Sequence, residues 1–219
     1  FFNIIENIKD NKIKNFIYAS SSSIYGNSNK SVFRENDNAT SPIQLYAATK
    51  RSNELIAHAY SSIYKINTIG LRFFTVYGPW GRPDMSLFLF TKKILNNRKI
   101  DVFNHGKHLR DFTFIDDIVS GIYLCSIKGF SKIKKDHYKI FNIASGRPIK
   151  LMKFIEIIEK KLKIKANKNF LKLQKGDVIK TYGSIKKINS ELGYNPKTSI
   201  DQGVAKFIDW YKKFYKLSN

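Results

Sequence analysis

Tyr46 and Lys50 are the residues whose types and spacing best suit chemistry. Four apart in a helical pattern, they lie on one face, one turn from each other. A tyrosine works as a general base only as its phenolate. An ammonium at ~6 Å favours that charge by about 2.8 kcal/mol at an effective dielectric of ~20. The pair alone recurs by chance in many helices. Just upstream stands Ser20-Ser21-Ser22-Ser23-Ile24-Tyr25-Gly26, at the end of an apolar, strand-like run. Hydroxyls at the C-terminal end of a parallel strand sit where α/β sheets bind ligands, so a serine there can hydrogen-bond a substrate hydroxyl beside the tyrosine.

The elements that must position these groups follow from periodicity. Helical spacing appears over 1–9, 46–64, 86–96, 116–127, 151–162, 184–192 and 200–215. Strand-like runs appear over 14–20, 68–74, near 101–103, 109–114 and 138–142, and 78–83 reads as a rigid turn. Strands alternating with helices of this length predict an α/β fold with a parallel sheet.

The 219 residues carry 39 Lys and Arg against 17 Asp and Glu, a net charge of +22. Up to residue 127 the net charge is +6, and beyond it +16. Such an excess suggests nucleic acid. However, it comprises 32 Lys and only 7 Arg, dispersed among 30 Ile and 19 Asn with no compact basic tail. Bidentate phosphate and base recognition favours arginine, so the expectation is no specific nucleic-acid binding. No apolar run has a membrane-spanning length, so no membrane role is expected. A single cysteine, Cys125, excludes an internal disulfide framework and reads as core. His105 and His108 flank a turn without a further clustered ligand. They read as a surface loop, and no metal site is expected. Asp116 and Asp117 at a helix start read as cap and dipole partners.

The motifs ASSSSIYG, YAATK, LRFFTVYGPWGRPDM, RDFTFIDD and GDVIKTYGSIKKINSELGYNPKTSIDQG, in this order, resemble the extended short-chain dehydrogenase/reductases of the NAD-dependent epimerase/dehydratase family. Among these they resemble the nucleotide-sugar epimerases, especially UDP-glucuronate 4-epimerases. The resemblance implies NAD as cofactor, a UDP-sugar substrate, a homodimer and a cytoplasmic location. It implies the C-terminal part of a Rossmann-like parallel-sheet domain plus a smaller α/β substrate-binding domain. Residues 1–75 would be the partial dinucleotide domain and 76–219 mainly the substrate domain, with about 109–127 returning to the first.

The family's glycine-rich turn, G-x-x-G-x-x-G, does not occur in this sequence, which starts at Phe1 inside a helical pattern. The expectation is therefore an N-terminally truncated chain, inactive by itself. Carried over by resemblance, Tyr46 is the catalytic base, and Lys50 holds the nicotinamide ribose and supports the base. Ser21 is the catalytic serine, with Ser22 and Ser23 sharing its task. Ser20 and Phe74 lie on the cofactor side. Thr75 stands where many epimerases carry a substrate-contacting Asn. Arg110 binds the nucleotide diphosphate, Arg82 the sugar carboxylate or phosphates, and Asp177 closes the uridine side. For Arg110 the competing reading is a surface salt bridge to Asp111 or Asp116. The family's dehydratases and decarboxylase carry an acidic group in the hydroxyl stretch. Ser-Ser-Ser-Ile-Tyr has none, which favours an epimerase. Alternatives are a UDP-glucose 4-epimerase, another NAD-dependent sugar epimerase or dehydratase, and a non-catalytic basic binding module.

Overall fold

The structure, a computed structural model, describes residues 1–26, 28 and 30–217. It opens with α1 (Phe2–Asp10), β1 (Asn15–Ser21), α2 (Leu45–Tyr64), β2 (Asn67–Phe73) and β3 (Thr75–Tyr77). Next come α3 (Ser86–Leu95), β4 (Ile100–Val102), β5 (Leu109–Arg110), β6 (Phe112–Phe114) and α4 (Ile115–Leu124). The chain ends with β7 (Tyr138–Ile143), β8 (Ile149–Lys150), α5 (Leu151–Leu162), β9 (Lys168–Phe170), α6 (Lys186–Leu192) and α7 (Ile200–Phe214).

β1, β2 and β7 form a parallel sheet in that order, with Ser21 opposite Phe73 at one end. Alternation along the strands assigns its faces. Ile17, Ile69, Leu71, Phe141 and Ile143 pack with Ile118 and Cys125 on one side, and with Ile188 and Leu192 of α6. Tyr18 packs the other way, with Ile5 of α1 and Ala57 of α2. The result is a three-layer α/β/α sandwich of Rossmann-like type. Gly70 is a glycine for a spatial reason. A Cβ there would lie 2.6 Å from both Ile140 Cδ1 and Tyr18 Oη.

A second core gathers Phe88 of α3, Phe112 and Phe114 of β6, Phe154 and Ile158 of α5, and Phe207 of α7. Phe112 stacks on Phe154 with ring centroids 4.2 Å apart. Ser199 and Gln202 begin α7 with a reciprocal capping box. No helix among the described residues is long and apolar enough to cross a membrane.

Three short strands lie where the periodicity marked none: β3, β8 and β9. Two or three residues carry no legible period, and their pairing partners lie far along the chain. The stretch 109–114 splits into β5 and β6, which pair with β8 and β3 respectively. The central sheet takes in β7, a strand beyond the 109–127 segment expected to return to it. Cys125 is buried as expected. Asp116 and Asp117 lie in the first turn of α4, as expected of dipole partners, but do not cap it with their side chains. Asp116 pairs with Lys206, and Asp117 accepts the N–H groups of Lys197 and Thr198.

Candidate active site: two adjoining cavities

The C-terminal end of β1 turns sharply at Ser21. Its Oγ accepts the Ser23 N–H at 3.2 Å and donates to Ser23 Oγ at 3.1 Å, capping the single 3-10 turn Ser22–Tyr25. Beside it, the first turn of α2 carries Tyr46, which is half-exposed. The Lys50 Nζ stands 5.7 Å from the centre of the Tyr46 ring and donates to the Ala19 carbonyl at 3.0 Å. That bond ties the second turn of α2, one turn beyond Tyr46, to β1, on the side where the serines lie. Together these groups line a cavity of about 490 Å³. Its far wall is Phe74, Thr75 and the turn Gly78-Pro79-Trp80-Gly81-Arg82.

The predicted residues divide within this cavity. Ser21, Ser22, Ser23, Tyr46, Lys50, Thr75 and Arg82 come together around it. Ser20 lines it too, but its hydroxyl donates to Glu54 Oε1 at 2.6 Å in the buried interior. Phe74 is buried, and its ring packs with Tyr25, Phe33 and Ala144. Arg82 is exposed and forks onto Asp84, its Nε 3.1 Å from one carboxylate oxygen.

Arg110 and Asp177 lie instead in a second cavity of about 340 Å³, which shares Thr75 and Met85 with the first. Its other walls are apolar and aromatic, from Leu89, Phe90, Phe103, Phe112 and Leu151. Arg110 does not pair with Asp111 or Asp116. Its guanidinium reaches Asp177 Oδ1 at 2.8 Å and the Ile179 carbonyl at 3.0 Å. Burial pulls the Arg110 pKa down, against the opposing pull of Asp177. Asp111 is buried and accepts hydrogen bonds from Ser145, Gly146 and Gly183, so it fastens the chain around the cavity rather than facing it. The second cavity is held near the first by Gln44, the residue before α2, whose side-chain amide donates to the Gly176 carbonyl.

His108 is not on a surface loop. It is 4% exposed, lines the second cavity, and holds Nε2 3.0 Å from Asp177 Oδ2. Burial, then the nearby Arg110 charge, lowers its pKa below the ordinary histidine value. A signal existed in the sequence. His108, Arg110 and Phe112 alternate, and alternate residues of an extended segment share a face. Lys93 and Asp101, another ion pair at 2.6 Å, also line this cavity. No group of three metal-ligating side chains occurs among the described residues.

The chain is 49% identical to Protein CapI of Staphylococcus aureus, over 99% of this chain and 68% of that protein. It is 43% identical to UDP-glucuronate 4-epimerase 4 of Arabidopsis thaliana, over 98% of this chain and 52% of that one. The crystal structure of UDP-glucuronic acid 4-epimerase from Bacillus cereus, in complex with UDP-glucuronic acid and NAD, superposes with a TM-score of 0.88 at 32% identity. That match covers 97% of this chain and 66% of the Bacillus chain. The chain therefore spans about two thirds of the bacterial relatives and about half of the plant one. Residues 1–144 match the sequence profile of the NAD dependent epimerase/dehydratase family, and the chain belongs to that family.

Proposed function

We propose that this chain carries the catalytic and nucleotide-sugar-binding residues of an NAD-dependent 4-epimerase that interconverts UDP-glucuronate and UDP-galacturonate. One observation carries the reading: a hydroxyl-rich cavity holding Tyr46 and Lys50 adjoins an aromatic one holding a half-buried arginine. A nucleotide sugar has that same division, with a hydroxylated ring at one end, a diphosphate between, and a flat base at the other. The relatives bearing this activity in their names support the choice of sugar.

The nicotinamide end of NAD fits the first cavity. Lys50 spends one N–H on Ala19, which leaves two for ribose hydroxyls. When bound there, NAD would supply the hydride acceptor and donor that C4 of the sugar requires. Tyr46, as phenolate, removes the proton of the 4-hydroxyl, and Lys50 steadies the negative charge it must carry. Ser21, Ser22 and Ser23 hydrogen-bond the sugar, and Ser21 is already oriented by its bond to Ser23. Ser20 gives its hydroxyl to Glu54 and offers this end its main chain, while Phe74 supplies the buried wall behind it. The flat 4-keto sugar turns about its diphosphate linkage and is reduced on the other face, and Tyr46 returns the proton. Arg82 and Thr75 meet the sugar carboxylate, Arg110 the diphosphate, and Asp177 the uridine side.

The reading extends to a cytoplasmic homodimer. Leu45, Leu55 and Ile63 of α2 are exposed beside Phe2 and Ile4 of α1, an apolar face suited to a second copy. The direct test is to express the protein from its complete reading frame, supply UDP-glucuronate, and separate products by chromatography. UDP-galacturonate should appear with wild type and vanish in Tyr46→Phe. Turnover of UDP-glucose alone would replace the substrate, and turnover of neither would overturn the enzymatic reading.

A further inference from the structure

Arg110 already commits three of its five N–H donors. Nη1 donates to the Ile179 carbonyl at 3.0 Å and more weakly to that of Leu109 at 3.3 Å, while Nη2 holds Asp177. The Nε–H and the second Nη2–H are left for a phosphate, which there comes beside the Asp177 carboxylate on Nη2, and the two anions repel each other at that range. His108 stands on the other side of the same carboxylate. Its Nε2 is buried and, although 3.0 Å from Oδ2, makes no properly directed hydrogen bond. Nε2 is the ring nitrogen that faces Asp177.

We propose that His108 is a positioning residue for an anionic ligand of the second cavity, taking over the Asp177 carboxylate when phosphate oxygens claim Arg110. The inference deepens the proposed function by adding a proton-coupled regulation of the same site. His108 replaces the lost partner of Asp177 and thereby removes a negative charge from the path of the ligand. Among the described residues that line this cavity, no other unengaged cation can do so. The remaining charged groups lining this cavity are Lys93, which is engaged by Asp101, together with Asp101 itself and Asp84. Leu151 of α5 faces His108 as an apolar wall, and the neighbouring Lys107 and Lys150 are exposed.

The sign of the coupling follows from these neighbours. Without ligand, burial and then Arg110 lower the His108 pKa below the ordinary histidine value, which favours the neutral ring. With ligand, phosphate offsets Arg110 and Asp177 bonds His108 directly, and both raise it. Ligand binding therefore takes up a proton, and affinity falls as pH rises through the window between the two values.

The test is calorimetry of UDP binding to the protein from its complete reading frame, near pH 7, in two buffers of different ionisation heat. Wild type is expected to take up a proton on binding. His108→Gln keeps a donor without titrating, and should bind UDP within about threefold of wild type with no proton uptake. His108→Met should weaken UDP about tenfold and raise KM while leaving kcat nearly unchanged. In an Asp177→Asn background, His108→Met should cost nothing further, since there is no carboxylate to move. Proton uptake that persists in His108→Gln, or is absent from wild type, overturns the proposal. So does UDP affinity indifferent to His108→Met. Should His108→Met fail to fold, the glutamine variant decides alone. UDP binding is read without turnover, so a failure of the epimerase reading shows separately, in the product assay.

Discussion

The functional groups split into those held towards the interior and those left exposed to a ligand. Ser20, Arg110 and Asp177 are held by partners away from open solvent, whereas Tyr46 is half-exposed and Arg82 is exposed, forked onto an equally exposed Asp84. Arg82 pairs only with Asp84, itself exposed, and such a pair contributes little to stability. Its side chain is therefore available to bind a carboxylate. Arg82→Gln is expected to raise KM for UDP-glucuronate about tenfold or more, through loss of a charge-assisted fork. Competitive inhibition by UDP, which has no sugar carboxylate, should stay within about threefold of wild type. Equal weakening of both ligands would move Arg82 away from the sugar. Tyr46→Phe, by contrast, acts on the proton transfer itself and should eliminate turnover while the fold persists.

Between elements, the joint that matters most is the one fixing α2 against β1 and β2. Glu54, on the helix that bears Tyr46 and Lys50, is fully buried. It accepts Ser20 Oγ, a bidentate fork from Arg72 at 2.9 Å, and Arg51. Arg72 passes the contact on to the Tyr25 hydroxyl, which donates to Asn142 of β7. Burial raises the Glu54 pKa, but hydrogen bonds and charge from Arg72, then Ser20 and Arg51, carry it to a net value below the ordinary one. A carboxyl lowered in this way stabilises the fold above its unfolded pKa of about 4.3, and that contribution is lost as pH falls through the folded value. Glu54→Gln leaves Arg72 charged and underpaired in the interior. It should destabilise the protein by about 3 kcal/mol at pH 7, measured by urea unfolding, and flatten the loss of stability in acid. An unchanged acid profile would show that another carboxylate controls it.

Over the whole molecule, charge and apolar surface make different demands. A net charge of +22 favours anionic ligands in general and is weakened by salt, yet it specifies no site. The exposed Leu45, Leu55 and Ile63 on α2 and the exposed Phe2 and Ile4 on α1 are more particular, because they are large apolar side chains on two packed helices. Leu55→Glu with Ile63→Glu should halve the mass seen by light scattering from dimer to monomer, at unchanged ultraviolet circular dichroism. A wild type that is already monomeric would remove that face from consideration as an interface.

Much of this could be read from residue order alone, wherever the physics is local. The 3.6-residue apolar spacing located α2, α5 and α7 to within a residue or two, and the continuous apolar runs located β1 and β2. The one-turn separation of Tyr46 and Lys50 needs no more than a helix, and the absence of acidic residues from the serine stretch needs only the sequence. What the sequence left open depends on contacts between distant segments. β3, β8 and β9 exist because other strands offer them hydrogen bonds, not because two or three residues prefer extension. The partner of Arg110 lies 67 positions away, so neighbouring acidic residues were misleading candidates. The hydroxyl of Ser20 turns inward while that of Ser21 caps the turn, since successive residues of a strand point to opposite faces. His108 shows the same limit: its type and turn-like surroundings suggested a solvated loop, and only the folding of Asp177 against it created a buried histidine beside a carboxylate. Local periodicity and motif order are written along the chain, whereas burial and ion pairing arise when tertiary packing removes water and chooses each group's neighbour.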